Sequence, residues 1–233
     1  PKLLGNDRGK YLNENFRLFI YFSFLFATFS IVFAKAGLFV LNPIYETISV
    51  IVVFITLRYF LFAVYDIFNH MLRAIETIDE QPNPTIHDFL KSKLFKIPTI
   101  QLFQYVGYIL ILTISLVFIE FSSTFDLLLF WSVLALMIQI PSTLIISLWI
   151  KKEKLLQVKI FTIFKYFLAL IPTYFIIDFF NNTLLNYDAN LFEFTFTLFL
   201  ILILGIITYV GITYIIDNNT RKLLSSIISQ LKP

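Results

Sequence analysis

Apolar runs long enough to cross a bilayer recur along this chain, separated by short clusters of charge. Three of them contain no charged residue at all: Ile97 to Ile119, Leu127 to Ile150 and Phe194 to Ile216. A helix rises about 1.5 Å per residue, so about 20 mostly apolar residues cover the hydrocarbon core. Three further runs are interrupted, by Lys35 near the end of the first, by Arg58 and Asp66 inside the second, and by Lys165 in the fifth. The pattern predicts six helical spans at about 17–40, 46–70, 97–120, 126–150, 159–179 and 193–217. The expected fold is an all-α polytopic membrane protein, with residues 1–233 forming one integral membrane domain.

Composition strengthens that reading. Of 233 residues, 58% are hydrophobic and 29 are Phe, more apolar material than a soluble domain of this length can bury. The first apolar run is too long and too late for a cleaved signal peptide. Without Cys there is no disulfide, thiolate metal site or cysteine nucleophile. The preference for Phe, Ile, Asn and Lys over Gly and Ala fits an AT-rich genome, bacterial or organellar.

The bases are distributed unevenly. Lys2, Arg8, Lys10 and Arg17 precede the first span, and Arg73, Lys91, Lys93 and Lys96 lie between the second and third. Lys151, Lys152, Lys154 and Lys159 follow the fourth, and Arg221, Lys222 and Lys232 follow the sixth. All fall on one side if every span crosses. The opposite loops offer Lys35 against Glu46, Glu120, Asp126, Asp178, Asp188 and Glu193. The positive-inside rule then places both termini in the cytoplasm or mitochondrial matrix. The net charge of +3 is a topological signal and implies no nucleic-acid partner. In the longest inside loop, Pro82–Asn83–Pro84 divides an acidic stretch from a short basic amphipathic segment expected to lie along the interface.

Polar groups within the spans are the candidates for function. Arg58 and Asp66 share a helix face about 12 Å apart, a possible buried charge site, with His70 a turn beyond at the interface. Pro141 removes a donor and frees the carbonyl near Met137, and Gln139 offers an amide at mid-depth to bond locally or to another helix. Phosphate loops, HExxH, a Ser–His pairing at span depth and acidic clusters of metal-ligand spacing are all missing, so no enzyme, cofactor or metal is expected.

The run FDLLLFWSVLALMIQIPSTLIISLWIKKEKLLQVKIFTIFKYFLALIPTYFII, from Phe125 to Ile177, resembles the fourth and fifth spans of the TatC family, the multispanning receptor subunit of the twin-arginine translocase. That family carries an acidic or amide residue two before a proline, as Gln139 and Pro141 stand here. Its Arg-x-Tyr matches Lys159 and Phe161, and Asp178 falls close to the aspartate of its TPPD turn. YLNENFRLFI at 11–20 is similar to the element before its first span, with Glu14 on the acidic position. AVYDIFNHM at 63–71 is similar to the end of its second, with Tyr65 and Phe68 on the aromatics. The family's first-loop glutamate–arginine pair and its long outside cap have no counterpart.

The resemblance implies a non-enzymatic translocase subunit, seated in lipid within a hetero-oligomeric complex of a bacterial or mitochondrial inner membrane. Glu14 would bind the arginines of signal peptides through charge-assisted hydrogen bonds, and Gln139 and Pro141 would contact single-span partner helices. Charge alone adds Glu76, Asp79 and Glu80 as signal-peptide ligands, being the acidic cluster of an otherwise basic face. Two other readings stay open. One is a structural or assembly subunit of a larger membrane complex; the other is a permease subunit with Arg58, Asp66 and Gln139 along a substrate path.

Overall fold

The structure, a computed structural model, describes residues 4–78, 83–156, 160–188 and 190–231, and among them there is no strand. The helices are α1 (Leu4–Val32), α2 (Ala34–Leu41), a 3-10 turn (Pro43–Ile48), α3 (Ser49–Arg73), α4 (Ile86–Lys91), α5 (Lys93–Phe118), α6 (Thr124–Lys152), α7 (Ile160–Leu184), α8 (Leu191–Ile216) and α9 (Asn218–Leu231). Six segments are long and apolar enough to cross a membrane: Leu12–Val32, Pro43–Arg73, Lys93–Phe118, Thr124–Lys152, Phe161–Leu184 and Leu191–Ile216. The protein is an all-α polytopic membrane protein.

The first expected span is divided in two. The chain turns at Phe33, and α2 restarts with Gly37 N–H donating to the Phe33 carbonyl at 2.7 Å. Asn42 then stops α2 and caps the 3-10 turn, its side chain accepting from Ile44 N–H at 3.0 Å ahead of Pro43 at the first position. The expected amphipathic segment in the long loop is the six-residue α4. It is started by a capping box in which Thr85 and Asp88 bond reciprocally.

The chain forms two compact units, Pro1–Phe16 with Val50–Gln157, and Arg17–Ser49 with Val158–Pro233. In the first, α5 packs on α6, and Phe16 stacks on Phe68 of α3 with centroids 5.1 Å apart. Helix α6 runs unbroken through Pro141 and ends in a Schellman motif, with Leu155 N–H on the Ile150 carbonyl and Lys154 N–H on that of Lys151. Lys154 occupies the left-handed position at φ 53°, where glycine is usual.

In the second unit α7 packs on α8, and α8 also meets α2 and α9. Gly205 allows the α7–α8 approach, since a Cβ there would lie 2.6 Å from Ile177 Cδ1 and 3.1 Å from Phe29 Cζ. Phe39, Tyr187 and Phe194 form an aromatic group beside the 2.9 Å Lys35–Glu46 ion pair.

Candidate functional site

Gln139 lies on the inward face of α6 and is almost fully buried, while Pro141 two residues on faces outward. Its carbonyl oxygen accepts from Gln104 Nε2 of α5 at 2.7 Å, and its own Nε2 donates to Thr143 Oγ1 at 3.2 Å. The Thr143 hydroxyl lies 3.3 Å from the Leu61 carbonyl of α3 and 3.0 Å from that of Gln139. One amide therefore ties α5, α6 and α3 together. In hydrocarbon such a link is specific because the alternative is an unbonded polar group. The two faces of α6 differ in kind here: Gln139 has partners within the chain, and Pro141 is exposed.

Arg58 is half-buried at the middle of α3, nine residues from Ser49 and fifteen from Arg73. Its guanidinium lies 5.6 Å from the Tyr59 ring centroid and within electrostatic range of the Tyr108 phenol of α5. Asp66 pairs instead with His70, one turn on, at 3.6 Å. Arg58 has no ion pair and no side-chain hydrogen bond among the described residues. Among the described residues, Arg58, Asp66 and Gln139 make no hydrogen bond or ion pair with one another.

At the Asp66–Arg73 end of α3, Tyr65 and Phe68 are buried, and Glu14 stands half-buried on α1, two residues before the Phe16 that stacks on Phe68. The Tyr65 hydroxyl and the Asn69 side-chain oxygen, one turn apart, are buried without a partner among the described residues. Glu76 accepts the Lys93 N–H at 2.7 Å and the Thr77 N–H at 3.3 Å, which places a carboxylate on the N-terminus of α5. Asp79 and Glu80 lie outside the described residues, as does Lys159.

Glu76 opens onto a cleft of about 500 Å³ lined also by Lys91, Lys93, Lys96, Trp149, Lys152 and Glu153. The cleft is basic in character because its acids are engaged. Glu153 holds Lys93 Nζ at 2.8 Å, and that ammonium lowers the Glu153 carboxyl pKa. Asp88 is bound by the Thr85 hydroxyl and N–H, which lower its pKa likewise. Glu76, singled out on charge as a ligand for guanidinium, is thus committed to backbone donors, and lysines surround it. Among the described residues, no group of three His, Asp or Glu is placed to hold a metal ion.

No protein-family model, curated protein or solved structure matches the chain. What the residues do chemically therefore carries the functional reading.

A third polar cluster, in the second unit, escaped the sequence reading. Asp217, between α8 and α9, is buried and accepts three bonds on one carboxylate oxygen, from Tyr166 Oη at 3.0 Å and from Thr220 N–H and Oγ1 at 2.9 Å each. Deeper in, the hydroxyls of Tyr21 and Thr213 are 3.1 Å apart, and Tyr209 donates to the Tyr21 carbonyl at 3.1 Å. The Tyr21 ring packs on those of Tyr166 and Tyr209, with centroids 5.2 and 5.0 Å away. Arg221 closes the corner, its guanidinium donating to the Tyr214 and Ile215 carbonyls that end α8. Every member but Arg221 is buried, so the cluster joins α1, α7, α8 and α9 and offers nothing to a ligand.

Proposed function

We propose that the chain is a non-enzymatic, helix-binding subunit of a hetero-oligomeric membrane complex. One observation carries this reading. Across the most apolar windows of spans Pro43–Arg73 and Lys93–Phe118 only 6% of residues are buried, against 39% in Thr124–Lys152. Lipid covers a plain apolar face at no cost, but these faces also present Arg58, Tyr59, Gln101 and Tyr105. Polar groups in that setting favour protein neighbours.

Among such complexes, a twin-arginine translocase is the one its residue patterns resemble. Six spans, the buried amide two before Pro141, and Glu14 beside the Phe16–Phe68 stack support that form, with Glu14 rather than Glu76 as the group free to meet a guanidinium. Bases gathered in alternate loops support a cytoplasmic or matrix location for both termini, in a bacterial or mitochondrial inner membrane. The test is purification of the native complex in mild detergent from a tag at the C-terminus, with mass spectrometry of what accompanies it. Small single-span proteins together with twin-arginine precursors are expected. A fixed set of other subunits refutes the translocase form and leaves the assembly role; a chain that runs alone refutes both.

A further inference from the structure

Arg58 has a location and a lack that together specify a partner. It stands about 14 Å of helix from Ser49 and about 22 Å from Arg73, deep in an apolar span. A guanidinium carries five N–H donors and keeps its charge at any physiological pH. Aromatic rings meet the cation through their faces but accept few of those donors. Arg58 has Tyr59 beside it and the Tyr108 phenol within electrostatic range, and among the described residues no carboxylate. Asp66, the nearest acid along the helix, is about 12 Å away and paired with His70. Lipid phosphates lie at the bilayer surfaces, remote from mid-span.

We propose that Arg58 is the docking point for a transmembrane helix of a partner protein that carries an Asp or Glu at mid-membrane depth. The inference rests on the assembly reading above and names the chemistry of the partner. The seat is the stripe of α3 formed by Ile55, Arg58, Tyr59 and Phe62, whose three-, four- and seven-residue spacings put them on one face. Ile55 and Tyr59 are exposed there. A carboxylate opposite Arg58 accepts two guanidinium N–H groups side by side, an arrangement a lysine or an uncharged amide does not reproduce. The aromatic rings exclude water around the pair and strengthen it.

The experiment uses the full chain in its native membrane. A photo-reactive phenylalanine analogue replaces Tyr59, and the cross-linked partner is identified by mass spectrometry, with recovery of that partner compared between the parent chain and Arg58→Leu. The expected result is a cross-linked span that contains an Asp or Glu, and at least a tenfold loss of the partner in Arg58→Leu. Replacing Arg58 by Asp and the partner's acid by Arg is expected to restore recovery. Because Arg58 has no acid partner among the described residues, Arg58→Leu is expected to leave the melting temperature of the isolated chain unchanged or raised. A cross-linked span without an acid, undiminished recovery of the partner, or a destabilised isolated chain each overturns the proposal while leaving the assembly reading standing. A chain that cross-links to no protein at all overturns both.

Discussion

Removing the Asp217 carboxylate tests whether the corner between α8 and α9 is held as the geometry states. Asp217→Ala deletes the N-cap of α9, typically about 1 kcal/mol, and strips the buried Tyr166 hydroxyl of an acceptor 3.0 Å away. An unmet buried donor costs roughly 1 to 3 kcal/mol, and the Thr220 hydroxyl can turn to relieve part of that. The expected loss is about 2 to 4 kcal/mol, read as equilibrium unfolding in mixed micelles. Amide exchange should quicken most at Thr220 and Arg221, whose N–H groups go to the Asp217 side chain and carbonyl. Tyr166→Phe alone should cost about 1 to 2 kcal/mol. If the two groups act on each other, the double variant should lose hardly more than Asp217→Ala. Losses that simply add, or an Asp217→Ala protein within about 0.5 kcal/mol of the parent, would falsify the proposed link.

Other consequences are as direct. Gln139→Leu should cost about 1 to 2 kcal/mol by stranding Gln104, and Gln104→Leu with Gln139→Leu should recover part of it, because a missing pair is cheaper than half of one; additive losses would contradict the 2.7 Å bond. Gly205→Leu should destabilise by about 3 kcal/mol or prevent folding, since even its Cβ meets the fully buried Ile177; a neutral outcome would mean that α7 and α8 stand further apart. Lys154→Gly should raise stability by about 1 kcal/mol by relieving a left-handed lysine, checked by the same unfolding curves. The Glu153 carboxyl has its pKa lowered by Lys93, so its contribution is present above the ordinary carboxylate pKa and is lost as pH falls below it. Acidification from about pH 6 to about pH 3 should therefore loosen the α5–α6 end less in Lys93→Gln than in the parent; equal pH profiles would count against the link.

The spans were legible because bilayer thickness sets a length that composition must meet; the ends of the other five moved by five residues or fewer, while the first ends at Val32 rather than at 40. The break at Phe33 was not, since neither proline nor glycine marks it and the apolar run continues across it. Helix α9 escaped because its apolar residues, at 223, 224, 227, 228 and 231, alternate with serines and never build a span. Their spacing, with Asp217 ahead as an N-cap, was the available signal. At Gln139 the polarity could be read from the chain, but not the partner on α5, because 35 residues of sequence separate two amides that meet only after folding. The same limit hid the tyrosine cluster. For Glu76, charge pointed to a ligand and local structure to a helix cap; a carboxylate ahead of a helix start has both uses, and only the position of Lys93 N–H decides.

The interleaving of the two compact units has a consequence for how the protein is made. The N-terminal half of α1 belongs with α3 to α6, but its membrane half belongs with α7 to α9. Tyr21 enters the bilayer before its hydroxyl's partner Thr213 and the Tyr209 hydroxyl that bonds its carbonyl are synthesised, 192 and 188 residues later. At about 5 to 20 residues per second that interval is roughly 10 to 40 s. Until α7 and α8 follow, the first span lacks the helices on which its rings pack. Its retention in the membrane must come from its own hydropathy or from an insertion chaperone, and a ribosome stalled before α8 would leave a chain half assembled and open to quality-control proteolysis.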